Sequence, residues 1–415
     1  MTPTLMISYE APPRLSASAI LMAKELKALA ETSSESPVID LVCASPGTEV
    51  PSDPSLEKML PDTIRVHHLD PVARGRKTLL QRIIGGLGGW QQAAVIKGGA
   101  LFPAEHKKPA WLYSRSHPPA SHLAALELIE GPLQGVPWAA HFTEPWSQHP
   151  YYKSHMTRAA LRRFEQQIFA AATRLIFATP ELRDSMLAGE DSILMEKARV
   201  VPHLFDPALF THAQASPPAE FQNAQTGVKS IAHVGHFSEF RSPGVLLDAM
   251  ATLQDLHPGL SARYSVWLVG AKIEPPAGTP AADVAAPANA RLSGSVPYLE
   301  SLGIMKAADV LLTIEGPALK NVFFPAKLVD YLGAGKPLFA IAPRDSLTAK
   351  LMESWKQPWC DVSDLDAIAA VLKRVAEGDL WAPPAQSVAE IYSAANVGRE
   401  LARCLAELIP AQSNE

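Results

Sequence analysis

Cysteine is scarce in this chain: Cys43, Cys360 and Cys404 are the only three in 415 residues, far apart and without a CxxC pair. That excludes a disulfide framework, argues against a structural zinc site and fits a reducing compartment. Positive charge is not in excess, since 37 Lys and Arg face 42 Asp and Glu for a net charge of −5. Composition therefore gives no reason to expect nucleic acid as a partner. No run of about 18 apolar residues exists, the length a membrane-spanning helix needs. The opening MTPTLMISYEAPPR passes from a short apolar run to polar, proline-rich sequence, so no signal peptide is expected. The expectation is a cytoplasmic protein, with peripheral contact at the inner membrane surface as the one membrane role left open.

What is present is an ordinary globular composition, 47% hydrophobic and 19% charged, in a chain long enough for two or three cores. Short apolar runs alternate with helical patterns. TLMIS (4–8), VIDLVCA (38–44), IRVHHL (64–69), AWLYS (110–114), PWAAHF (137–142), RLIFAT (174–179) and RVVPH (199–203) read as strands. Helical stretches lie between them at 18–30, 121–129 and 156–172. The strands do not alternate polar with apolar, which predicts a parallel sheet buried on both faces. A polar, Pro-Pro-bearing segment at 213–227 reads as a linker. The rhythm then restarts with SIAHVG (230–235), a helix from Gly244, YSVWLVG (264–270), a strand near 291–296, a helix at 298–307, DVLLTI and LFAIA. The fold class is α/β: two doubly wound, Rossmann-like domains facing across a cleft. Their expected bounds are 1–212 for acceptor binding and 228–387 for nucleotide-sugar binding. A C-terminal helical segment, 388–415, is placed to pack back on the first domain. In such folds ligands bind at the carboxyl ends of the strands.

Two stretches carry chemistry. FFPAKLVDYLGAGKP (323–337) sets Pro325 at a helix start, where its missing N–H costs nothing. The N–H groups of Ala326, Lys327 and Leu328 would then point free, an anion site strengthened by the helix dipole. Asp330 follows one turn on, where a carboxylate can accept from the two hydroxyls of a ribose; a capped helix with a solvated Asp is the plainer alternative. Gly333 and Gly335 suit close packing and a C-terminal cap. The second stretch, HVGHFSEFRSP, puts Gly235 and His236 directly after a strand and Arg241 before a helix. Glycine admits a phosphate to the backbone, and arginine can clamp two of its oxygens. Together the stretches describe a two-sided diphosphate site.

These residues resemble the donor-binding half of family 4 glycosyltransferases of the GT-B fold, in the bacterial surface-polysaccharide branch with its P-x-K-L-x-(D/E)-Y pattern. YSRSHPPASHLAALEL, PWAAHFTEPW, FATPELRDSM and VVPHLFDPALF resemble the same branch in the first half. The resemblance implies a retaining transferase, a nucleotide-diphosphate sugar as donor, a saccharide or lipid-linked acceptor, no cofactor and no essential metal. It adds Phe324 to the donor set of Gly235, His236, Arg241, Pro325, Ala326, Lys327, Leu328 and Asp330. The family often carries two glutamates eight positions apart; here the second is Asp330 and the first falls on Val322. That departure leaves open a catalytically silent sugar-nucleotide-binding or scaffold protein, and the shared fold leaves open a nucleotide-sugar epimerase.

Transfer must stabilise charge on the departing diphosphate, a task assigned to Arg241 and the start of the Pro325 helix, with Lys327 beside them. The acceptor hydroxyl needs orientation and a route for its proton. Strand ends of the first half offer Arg115 and His117, then His141 and Glu144; Arg14 and Ser16 lie in the loop YEAPPRLSAS (9–18). Each of these has a structural alternative, as a core histidine, a rim hydrogen bond or loop filler. RGRKTLLQRIIGGLGGW (74–90) mixes basic residues with Leu and Ile as a membrane-surface helix would, although its glycines oppose a long helix. The Asp-x-Asp of SDLDA (363–367) reads as an N-cap at Ser363 or Asp364 rather than a metal site.

Overall fold

The computed structural model describes residues 3–33, 36–47, 50–70, 87–103, 107–149, 152, 154–211, 221, 227–237, 241–270, 287–316 and 322–409. The chain divides into two compact units, Met1–Leu204 with Ala394–Glu415, and Phe205–Ser393.

Among the described residues the first unit holds a parallel sheet ordered β3-β2-β1-β4-β5-β6-β7. Its strands are β1 (Thr4–Ile7), β2 (Ile39–Ala44), β3 (Ile64–Leu69), β4 (Leu112–Arg115), β5 (Trp138–Phe142), β6 (Arg174–Phe177) and β7 (Ala198–Val200). β1, β2, β4 and β5 are buried at every position, which is why their sequences show no alternation. The order reverses between β1 and β4, whose carboxyl ends lie side by side. The helix Ala17–Thr32 is capped by Ser16, whose side chain accepts from Ala19 N–H.

The expected C-terminal helix breaks in two, Gln386–Ile391 and Ala394–Ala406. Between them Ser393 bridges Phe205, and Phe205 N–H donates to Tyr392 C=O at 3.0 Å, so the chain's two passages between units are tied together. The Ala394 helix lays Val397, Leu401, Cys404 and Leu405 into the first unit's core. Each such apolar side chain contributes about 1.5–3 kcal/mol. Gly398 permits the contact: a Cβ there would meet Ala28 O and Thr32 Oγ1 at 2.8 Å.

The second unit repeats the order as β10-β9-β8-β11-β12-β13, all parallel. These are β8 (Lys229–Val234), β9 (Tyr264–Val269), β10 (Ala290–Ser293), β11 (Val310–Ile314), β12 (Leu338–Ile341) and β13 (Trp359–Cys360). Here the reversal falls between β8 and β11. The unit begins at Phe205, ahead of the expected boundary at 212, because the short helix Pro207–Thr211 packs within it: Phe210 faces Gly333 and its carbonyl accepts from Lys306 Nζ at 2.8 Å. Most of the expected linker lies outside the described residues; Phe221 is buried with its ring 5.5 Å from Trp267. The basic segment at 74–90 is likewise undescribed up to 86. No helix among the described residues is long and apolar enough to cross a membrane.

Candidate active site

In the second unit a cationic cluster forms where β8 and β11 end. Gly235 follows β8 with φ +146°, and a Cβ on it would lie 2.8 Å from Lys327 Nζ and 2.9 Å from Cε. The missing side chain is therefore where the lysine head passes. Its Nζ sits 2.8 Å from Nε2 of His233, the fully buried residue two positions earlier on β8. Burial, then the Arg241 charge, hold Lys327 well below the ordinary lysine range, with Glu315 pulling the other way. Burial, Lys327 and Arg241 hold His233 well below the histidine range, so its ring is neutral. Arg241 reaches the same cluster with its Nε buried and without a hydrogen-bond partner among the described residues. The next loop approaches closely too, since a Cβ on Gly270 (φ +87°) would meet Gly235 O at 2.9 Å.

Glu315, directly after β11, is the balancing carboxylate. It is buried, accepts from Thr348 Oγ1 at 2.6 Å, and is pushed up by burial against the pull of Arg241 and Lys327. Sequence reasoning assigned no role to His233 or Glu315. Their signal was a titratable residue near or at the carboxyl end of an otherwise apolar strand.

The helix carrying Lys327 differs from expectation. It spans Lys327–Ala334, with Ala326 at the cap, and Leu328 N–H donates to Pro325 C=O at 3.0 Å. Pro325 opens a turn before the helix, so the Leu328 N–H is not a free donor. Gly335 (φ +64°) ends the helix, and Gly333 lies against Phe205 and Phe210. Asp330 is buried and accepts from Tyr298 Oη at 3.1 Å; that phenol is pushed well above its ordinary range by burial and by Asp330 itself. The solvated Asp is thus ruled out, and a ribose contact would have to share the carboxylate with Tyr298. Tyr331 Oη bonds Val234 N–H at 2.9 Å and Leu312 C=O at 3.0 Å, pinning the helix across both strand ends. Phe324 is buried with its ring 5.5 Å from Tyr392, whereas His236 is exposed.

In the first unit an open cavity of about 340 Å³ lies at the reversal between β1 and β4, lined by residues including Tyr9, Glu10, Ser16, His117 and Glu144. Ligand pockets generally start near this size, about 300 Å³. His117 stacks on His149 with ring centroids 5.8 Å apart, and its Nδ1 is buried without a partner among the described residues. Burial lowers its pKa, against the pull of Glu144. Glu144 lies 3.4 Å from His149 Nε2. Burial would raise this carboxylate, but the His149 bond and the neighbouring imidazoles hold it down at about 2.

The other four acceptor-side candidates are engaged by neighbours in the first unit. Arg115 is buried on Glu25, with Nε 3.0 Å from Oε2, because a guanidinium inside a sheet end must find a carboxylate. His141 is fully buried with Nδ1 2.6 Å from Tyr113 Oη; burial and the Arg115 charge keep it neutral. Arg14 puts Nε and Nη2 on Glu10 and Nη1 on Ser45 C=O. Ser16 donates to Glu10 at 2.7 Å while capping its helix. Arg115, Arg14 and His141 thus each have a partner within the first unit, while Nε2 of His141 is buried without a hydrogen-bond partner among the described residues. Ser16 caps its helix and also lines the cavity. Asp364 caps the helix Leu365–Glu377. Among the described residues no three His, Cys, Asp or Glu side chains are grouped to hold a metal ion.

No family model matches the chain. It is similar to the D-inositol 3-phosphate glycosyltransferase of Actinosynnema mirum, 26% identical over 225 residues, and the match spans about half of each protein, 52% and 54%. In structure it resembles the Anabaena protein HepE solved with UDP-glucose, at TM-score 0.64 and 12% identity over 97% of this chain and 99% of that one. It also resembles trehalose-6-phosphate synthase, solved to study glycosyl transfer with retention, at TM-score 0.62 and 14% identity over 98% and 100% of the two chains. The fold is the GT-B fold that these solved structures share.

Proposed function

We propose that the chain is a retaining glycosyltransferase that takes a nucleotide-diphosphate sugar and delivers the sugar to a saccharide or lipid-linked acceptor of cell-surface polysaccharide synthesis. The observation that carries the reading is the cluster at Gly235: Arg241, with a buried Nε unpartnered among the described residues, and Lys327 gathered at parallel strand ends with Glu315 as the carboxylate beside them. Such a cluster is unfavourable alone and favourable around an anion. As the glycosidic bond breaks, negative charge grows on the departing diphosphate, and Arg241 and Lys327 balance it. The acceptor hydroxyl is oriented in the first unit by Glu144, which stays ionised, and by His117. Retention is supported by the motif resemblance and by the fold shared with trehalose-6-phosphate synthase. The charge balance is protein-borne, so the reading includes no metal, and it places the reaction in the cytoplasm.

A silent binding protein is the second reading, favoured by Val322 in place of a family glutamate. The deciding experiment incubates the protein with UDP-, GDP-, ADP- and dTDP-sugars and scores nucleoside diphosphate release, with and without EDTA. Release that survives EDTA supports the metal-independent transferase. Binding without release on any acceptor supports the silent protein, and conversion of the donor sugar without release would indicate an epimerase. Loss with EDTA and recovery with magnesium would overturn the diphosphate site as drawn.

A further inference from the structure

The donor site holds one contact that the charge balance does not require. The head of Lys327 is drawn across Gly235 onto His233 Nε2 at 2.8 Å. His233 is itself immobile: fully buried on β8, with its ring stacked on Phe237 at 4.4 Å and 21°. A neutral imidazole that accepts at Nε2 carries its proton on Nδ1. With that tautomer the uncharged ring can accept from Lys327 once the lysine is protonated, where a carboxylate would have fixed the charge permanently.

We propose that His233 is a positioning residue for the donor diphosphate, and that the Lys327–His233 pair binds a proton from solvent when the nucleotide sugar enters. The inference rests on the donor-site reading. Its balance is simple: Lys327 Nζ gains one proton from the buffer acid, which is left as its conjugate base, no bond between heavy atoms changes, and the two diphosphate charges replace the missing counter-ion. The groups facing the pair are Arg241 before the Gly244 helix, Glu315 after β11 and Tyr331 one turn along the lysine's own helix. Tyr331 is engaged by the backbone of β8 and β11, and Glu315 by Thr348. With Arg241 permanently charged, Lys327 is the group placed to change its charge. The depressed lysine and histidine values support the same direction.

The test is isothermal titration calorimetry with the tightest binder among UDP-, GDP-, ADP- and dTDP-glucose, in buffers of differing ionisation enthalpy. The diphosphate of these probes is a diester that does not titrate between about pH 6.5 and pH 9, the range to be scanned against the ordinary lysine value. Wild-type affinity should fall as pH rises through the free-state lysine value, by up to tenfold per unit for one proton, matched by calorimetric uptake approaching one proton. Lys327→Arg should bind with uptake abolished, because guanidinium keeps its charge. His233→Leu should lose tenfold or more in affinity and shift the uptake to lower pH. His233→Gln, which keeps an acceptor oxygen, should recover most of the affinity and shift the uptake to higher pH. Binding with pH-independent affinity and no uptake across the range overturns the inference and leaves the donor site standing. Should His233→Leu not fold, the wild-type, Lys327→Arg and His233→Gln profiles still decide. Failure of every nucleotide sugar to bind refutes the donor reading itself.

Discussion

Replacing Gly235 by alanine tests the donor site through a single methyl group. The added Cβ would lie 2.8 Å from Lys327 Nζ and 2.9 Å from Cε, closer than such atoms come. A φ of +146° also strains an L-residue, at a cost on the order of 1–3 kcal/mol to the fold. The obstructing atoms are the far end of a flexible side chain, so the lysine head gives way and the backbone stays. Its 2.8 Å contact with His233 is then lost, and with it the position from which it would meet a phosphate. A charge-assisted hydrogen bond is worth roughly 1.5–3 kcal/mol, which corresponds to about 10- to 150-fold in donor affinity. Calorimetry with the best-bound nucleotide sugar reads that loss, and urea unfolding reads the strain separately. A double-mutant cycle with Lys327→Ala isolates the mechanism. Once the lysine is gone, Gly235→Ala should cost almost no further affinity. Wild-type affinity in Gly235→Ala, or equal losses in both backgrounds, would show that the lysine head is not what this glycine accommodates.

Arg241→Ala should lower single-turnover rate by roughly 100-fold or more while weakening donor binding far less, as for a lost oxyanion donor; Arg241→Lys should recover only part, lacking the bidentate fork. Equal losses in rate and affinity would reduce Arg241 to an anchor. Arg115→Ala should cost about 3–5 kcal/mol of stability by stranding Glu25 in the core, with acceptor KM unchanged in the fraction that folds; a selective rise in acceptor KM would return Arg115 to the site. Among the described residues five histidines have folded-state pKa values lowered from 6.5: His117, His122 and His203 (the last two to about 3), and, well below, His141 and His233. Between those values the unfolded chain binds protons that the folded chain refuses, so stability is full above pH 6.5 and is lost as pH falls. Each contributes up to about 1.4 kcal/mol per pH unit. Urea midpoints measured from neutral pH to about pH 5 should drop with a slope of several protons, and a slope below one would contradict their burial as neutral rings.

The class of fold was legible in the chain because its cause is local. Runs such as LMI within TLMIS and VLL within DVLLTI are apolar at consecutive positions without polar alternation, and only strands covered on both faces need that. The helix at 298–307 and the start at Gly244 fell where periodicity placed them. The glycine turn at 235 and the lysine at 327 could be singled out because phosphate chemistry demands few residue types. Where each side chain points was decided only by tertiary structure. Arg115 and His141 end strands at the expected place, yet they turn inward to Glu25 and Tyr113. A strand end fixes an address and not a direction, and the partner lies 90 residues away for Arg115. The helix break at Ser393 likewise depends on Phe205, far earlier in the chain. His233 and Glu315 looked like chance polar residues on buried strands. Their meaning arises only when β8, β11 and the Lys327 helix bring them to one cation, since the energy of a buried charge depends on neighbours that sequence separation does not reveal.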